Sequence, residues 1–137
     1  EAGINIPLIH IADATAEQLR KDGVERVGLL GTRFTMEQDF YRDRVTQRFG
    51  IEVLIPEQPE RELVHRVIYD ELCLGKIEDN SRREYLSVMA KLAERGAQAI
   101  ILGCTEIALL VQQQHTAIHL YDTTQLHCAA AVRTATA

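Results

Sequence analysis

Apolar and polar positions along this chain follow two rhythms. Short apolar runs at residues 6–11, 27–30, 51–55, 99–102 and 118–121 have the length of strands. Between them apolar residues recur three and four apart, which marks one face of a helix. The clearest such face is Tyr85, Val88, Met89 and Leu92, stopped by Gly96. At Thr15, Thr35 and Ser81 a hydroxyl residue stands three positions before Gln or Glu, the capping-box spacing that opens a helix. These starts predict helices ending near Gly23, Phe49 and Gly96. A further helix is predicted from Glu60 to about Leu74, stopped by Gly75, and a last one from Gln125 to about Thr134.

Strands alternating with helices imply a parallel sheet with right-handed crossovers. Residues 27–30 and 99–102 lack polar alternation, which suits strands buried on both faces. The predicted fold is therefore α/β, a doubly wound parallel sheet of about four strands flanked by helices. Strand order is not legible at this level.

One junction carries chemistry. The apolar run 99–102 ends in Gly103-Cys104-Thr105-Glu106, and a helical pattern follows at 107–111. That places a thiol at the carboxyl end of a buried strand, where parallel α/β sheets bind ligands. A helix amino terminus beside it favours a thiolate. Glu106 is close enough to orient the thiol or relay its proton. The alternative is that Cys104 is a small inert core residue.

A second junction, Gly31-Thr32-Arg33-Phe34-Thr35, also links a strand to a helix. Its glycine, hydroxyls, guanidinium and free N–H groups suit a carboxylate or phosphate. It lacks the glycine spacing of a Walker loop. The alternative makes Thr35 a cap and Arg33 a solvated charge.

The remaining polar residues read more plainly. Asp13 and Thr15, like Asp122, Thr123 and Thr124, read as helix starts. His115 and His119 straddle a loop-to-strand junction, which is poor geometry for a metal. His10 reads as a core histidine, His65 as part of a polar helix face, and His127 lies one turn into the last helix. Cys73 and Cys128 read as packing residues within helices. The charge run 78–84 reads as a solvated connection.

Composition narrows the class. With 137 residues, 46% of them hydrophobic, the chain can bury one real core. A net charge of −5 argues against nucleic acid or an anionic membrane as partner. No apolar run has membrane-spanning length and no signal peptide is visible. The three cysteines are scattered, with neither disulfide nor zinc spacing, so a reducing cytoplasm is expected.

The motifs, taken together and in order, resemble the second half of the aspartate/glutamate racemase family, close to its broad-specificity amino-acid racemases. The segments that carry the resemblance are 7–15, Leu29-Leu30-Gly31-Thr32 with 35–41, and Tyr69-Asp70-Glu71-Leu72-Cys73-Leu74-Gly75. The stretch 96–107 around Gly-Cys-Thr-Glu, and Tyr121-Asp122-Thr123 with His127, complete them. The resemblance implies racemisation of aspartate, glutamate or a related amino acid without a cofactor or metal. Two similar α/β domains enclose the substrate between two cysteines; one removes the α-proton and the other protonates the opposite face. By this resemblance Cys104 is the second cysteine and Glu106 an assisting acid. Thr105 helps hold the substrate carboxylate, and Thr32 and Thr35 bind substrate.

The family's first cysteine motif has no match here, and the chain opens on Glu1 rather than Met. The expectation is a piece that lacks the amino-terminal domain: residues 1–117 form the Cys104-bearing domain, and 118–137 form a strand and helix that pack on the absent one. The piece alone is expected to be inactive, and the apolar docking face makes a homodimer the expected assembly. Aspartate-selective members place a Lys near the end of the third helix as a substrate contact; the nearest position here is Cys73, with Lys76 close by, which bears on substrate choice. Two rival readings are a single-cysteine decarboxylase or isomerase of the same superfamily, and a non-catalytic carboxylate-binding module.

Overall fold

Four short strands pair side by side, and the central two bury both of their faces. The computed structural model describes residues 2–122, apart from 38 and 105, with side chains from residue 12 on, apart from 38–41 and 105. The described elements run α1 (Ala2–Lys21), β1 (Arg26–Leu30), α2 (Arg33–Glu37), α3 (Asp39–Phe49), β2 (Glu52–Leu54), α4 (Gln58–Asp70), α5 (Asp79–Glu94), β3 (Ala99–Leu102), α6 (Ile107–Leu110) and β4 (His119–Asp122). Two 3₁₀ turns, Leu72–Leu74 and Gln113–His115, follow α4 and α6.

The strands form one parallel sheet in the order β2-β1-β3-β4. Leu30 of β1 lies opposite Leu102 of β3, so the two strands end level. The chain moves outward from β1 to β2, then crosses back to place β3 on the other side of β1. The reversal lies between β1 and β3, and ligands of open α/β sheets bind outside the strand ends at such a point.

Alternate residues feed two cores. Val27, Leu29, Ala99 and Ile101 meet Ala12, Ala16 and Leu19 of α1 and Val45 of α3. Leu30, Ile100 and Leu102 meet Val64, Val67 and Ile68 of α4 and Tyr85, Met89 and Leu92 of α5. Helices thus cover both faces, as the doubly wound reading requires. Gly28 allows the tightest approach: a Cβ there would stand 2.7 Å from Ile100 Cδ1 and 2.9 Å from Leu92 Cδ1.

Several local expectations fail for identifiable reasons. Residues 6–11, expected as a strand, belong to the single helix Ala2–Lys21. A short apolar run does not declare its period, and here the spacing Ala12, Ala16, Leu19 extends without a break to Gly23 (φ 76°). Thr15 is therefore a buried position inside α1 rather than its cap. Asp13, also within α1, accepts both arms of the Arg44 fork at 2.9 Å and ties α1 to α3. Ser81 likewise lies inside α5, whose cap position is Glu78; its hydroxyl donates to Glu71 Oε1 at 2.5 Å. Cys73 is exposed rather than packed, because α4 stops at Asp70 and the tight turn after it gives the buried position to Leu72. Gly75 closes that turn at φ 80°, a conformation that glycine adopts without strain.

The strand expected to leave this domain, β4, pairs with β3 in the same sheet. The outer edge of β4 is covered by a side chain. Gln113 accepts the Leu120 N–H through Oε1 at 2.9 Å and donates Nε2–H to the Ile118 carbonyl at 2.7 Å. The Tyr121 hydroxyl donates to Asp22 at 2.5 Å, which fastens β4 to the loop after α1. The expected last helix, with His127 and Cys128, lies outside the described residues. No helix among the described residues is long and apolar enough to cross a membrane.

Candidate active site

Two loops leave the sheet side by side where its order reverses. Residues 31–35 follow β1 and residues 103–106 follow β3. The Gly103 N–H donates to the Leu30 carbonyl at 2.7 Å, which carries the sheet pairing one residue past β3. A Cβ on Gly103 would stand 3.3 Å from Thr35 Cγ2, and one on Gly31 would stand 3.2 Å from the same methyl. Both glycines thus make room for Thr35, and the two loops touch through it.

Cys104 follows directly and is half-buried. Its S–H donates to Glu106 Oε1 at 2.9 Å. Its carbonyl accepts the Ile107 N–H at 3.2 Å, which starts α6. The far end of α6 is held by Arg82, whose Nε–H donates to the Leu110 carbonyl at 2.7 Å. The thiol thus rests between a strand end, a short helix and the Glu106 carboxylate.

The electrostatics correct one expectation. Cys104 does not rest as a thiolate: its pKa is pushed up to about 12. Burial is the largest cause, and the Glu106 carboxylate that accepts the S–H adds to it. Glu106's own N–H favours the thiolate but does not outweigh them. A helix of four residues carries too few aligned peptides for its dipole to prevail.

Thr32 caps α2. Its Oγ1 accepts the Thr35 N–H at 3.4 Å and lies 3.3 Å from Thr35 Oγ1, so the expected cap is displaced by one turn. The Thr35 methyl, rather than its hydroxyl, meets Gly103. Arg33 turns the other way: its guanidinium donates to Glu62 of α4 at 2.9 Å. It lines a groove of about 450 Å³ together with Glu62, His65, Arg66 and Tyr69. Cys104 does not line that groove. Thr105 lies outside the described residues.

Two residues of the site are not singled out by sequence. Tyr85 is fully buried, donates its hydroxyl to the Val64 carbonyl at 2.6 Å, and lies close enough to Cys104 to feel its charge. Burial first, then Cys104 and Glu71, push its pKa well above the usual phenol range. His65 accepts the Arg33 N–H at Nδ1 over 2.8 Å. Cys73, exposed at the turn after α4, adds slightly to the upward shift of Cys104. Helical periodicity places Tyr85 on a core face, but nothing local in sequence announces contacts across this distance.

A thiol and carboxylate thus stand at the reversal of a parallel sheet, one residue beyond the loop contact made by Thr35. The family described as Asp/Glu/Hydantoin racemase matches residues 1–131.

This chain belongs to the Asp/Glu/hydantoin racemase family.

The structure is similar to a candidate Asp/Glu racemase from Yersinia pestis, with TM-score 0.88 and 52% identity over 93% of this chain. It is also similar to an aspartate racemase homologue from Pyrococcus horikoshii OT3, with TM-score 0.85 and 34% identity over 93% of this chain. Each match covers 55% of the solved chain, so this chain spans about half the length of these family members. An aspartate racemase from Picrophilus torridus shares the fold, with TM-score 0.70 at 24% identity, over 91% of this chain and 51% of its own. An uncharacterized protein in the pnlA 3' region of Pectobacterium carotovorum subsp. carotovorum is 30% identical over 109 residues, 78% of this chain and 69% of that protein.

Proposed function

We propose that Cys104 is one of the two acid/base thiols of a cofactor-independent amino-acid racemase acting on aspartate, glutamate or a related amino acid. The observation that carries this reading is the 2.9 Å contact between the Cys104 S–H and the Glu106 carboxylate, at the strand ends where the sheet order reverses.

Inversion at Cα needs a proton taken from one face and another given to the opposite face. Two fixed groups do this without turning the substrate. Cys104 rests protonated and therefore begins as the donor. In the forward direction its S–H delivers a proton to the carbanion and leaves a thiolate. In the reverse direction that thiolate abstracts the α-proton, and Glu106 steers it. The opposing thiol is supplied by a second α/β domain, consistent with relatives about twice as long. Thr32 and Thr35, with Thr105, bind the substrate carboxylates, and their donors stabilise charge as it moves off Cα; the Arg33 guanidinium, engaged by Glu62, is not among them. The cysteine usage fits a cytoplasmic enzyme, and a homodimer is its proposed assembly.

A protonated resting thiol also suits a single-cysteine enzyme that protonates a carbanion after decarboxylation or isomerises a double bond. A panel of arylmalonates, maleate and amino acids separates the two.

The test is α-proton exchange. The chain is incubated in heavy water with each enantiomer of aspartate and glutamate, and NMR follows the α-hydrogen. Washout that disappears in Cys104→Ala supports the reading, and washout from one enantiomer without inversion marks a half-site. No washout, even with a family amino-terminal domain supplied, rejects it.

A further inference from the structure

The hydroxyl pair sits on a helix that cannot hold itself. α2 has five residues, Arg33–Glu37, and a single turn of helix is unstable in isolation. Something outside it must fix Thr32 and Thr35 against Gly103.

α4 provides two attachments to one residue. The Arg33 N–H, an orphan donor at the start of α2, is accepted by His65 Nδ1 at 2.8 Å. The Arg33 guanidinium is accepted by Glu62, one turn earlier on the same helix, at 2.9 Å. The imidazole is itself held between two rings. Tyr69 tilts against it at 4.7 Å between centroids, and Phe34 stands edge-on at 6.5 Å. Thr35, two residues beyond Arg33, fills the space left by Gly31 and Gly103. The chain of contacts from His65 to the Cys104 loop is therefore short: imidazole, Arg33 backbone, Thr35 methyl, Gly103.

We infer that His65 is a positioning residue for the substrate-binding hydroxyls. Its unprotonated Nδ1 sets where α2 begins, and so where Thr32 and Thr35 stand relative to Cys104. The functional half of this inference rests on the racemase reading. The anchoring half does not.

Geometry separates anchoring from mere bulk. In an Asn side chain the amide oxygen falls where Nδ1 stood, so His65→Asn keeps an acceptor for the Arg33 N–H. In a Gln side chain the amide reaches only as far as Nε2, so His65→Gln is closer to His in size but loses that acceptor. ¹⁵N NMR of the full chain should show scalar coupling across the hydrogen bond from Arg33 N to His65 Nδ1. Arg33 amide exchange should accelerate about tenfold in His65→Gln, the scale of one net hydrogen bond, and much less in His65→Asn. Absent coupling, or equal exchange in the two variants, overturns the anchor whether or not the chain turns over an amino acid.

The functional half is read in Cys104-dependent α-proton exchange, with an amino-terminal domain of the family supplied where needed. KM should rise in His65→Gln with kcat little changed, as expected when binding weakens equally in ground and transition states, and His65→Asn should restore it. A kcat loss common to both variants overturns the positioning role. Absence of exchange in the unsubstituted protein overturns the functional half together with the racemase reading, and the amide data still decide the anchor.

Discussion

Thr35 reaches the Cys104 loop only because Gly103 has no side chain: a Cβ there would stand 3.3 Å from the Thr35 methyl and 3.0 Å from the Leu30 carbonyl oxygen. The second distance matters more. A methyl group can rotate aside, but the Leu30 carbonyl is fixed in β1 and already accepts the Gly103 N–H at 2.7 Å.

Gly103→Ala should therefore destabilise the fold by about 1–3 kcal/mol, the usual cost of overpacking, and push the two loops apart. Urea unfolding measures the first effect. Amide shifts confined to residues 31–35 and 103–107 would show the second. An unchanged midpoint would mean that the junction is looser than its distances imply.

The buried thiol makes a statement about alkaline pH. Folding raises the Cys104 pKa from its ordinary value of 9.0 to about 12, so the folded state holds the proton more tightly. The resulting stabilisation is complete below pH 9 and is lost as pH rises toward 12. Tyr85 titrates upward for the same reason, burial, so the alkaline loss is shared. Cys104→Ser should flatten part of it in unfolding curves taken at successive pH values. At pH 8 iodoacetamide should alkylate exposed Cys73 before Cys104, as peptide mass spectrometry would show.

Glu106→Gln keeps an acceptor near the thiol but removes the charge. The Cys104 pKa should fall without returning to the ordinary range, because burial remains its largest cause. The pH profile of alkylation should move to lower pH. A shift in the opposite direction would mean that Glu106 does not hold the proton in place.

Tyr85→Phe removes one buried hydrogen bond and leaves the ring packed. The Val64 carbonyl loses its 2.6 Å donor, which should cost about 1 kcal/mol in urea unfolding. Tyr85→Leu should cost more, since the ring is among the largest fully buried side chains.

The sequence announces what depends on local pattern and hides what depends on distance along the chain. β1 and β3 are legible because strands buried on both faces read as unbroken apolar runs. The α5 face is legible because Tyr85, Val88, Met89 and Leu92 keep helical spacing. Cys104 and Glu106 are legible because they follow a strand end directly. The capping boxes mislead because a hydroxyl three residues before Glu or Gln also occurs inside helices, where Ser81 serves Glu71 instead. The thiolate expectation fails because burial and a neighbouring carboxylate appear only once the chain is folded. The His65 tie to Arg33 spans 32 positions, and no periodicity encodes it.

Gln113 sets a limit on assembly. A visiting strand seeking the outer side of β4 would need the Leu120 N–H and the Ile118 carbonyl, and one glutamine already engages both. At the opposite border β2 offers only three residues. Copies of this chain are thereby discouraged from zipping into a continuous ribbon, the hazard that open borders of sheets carry.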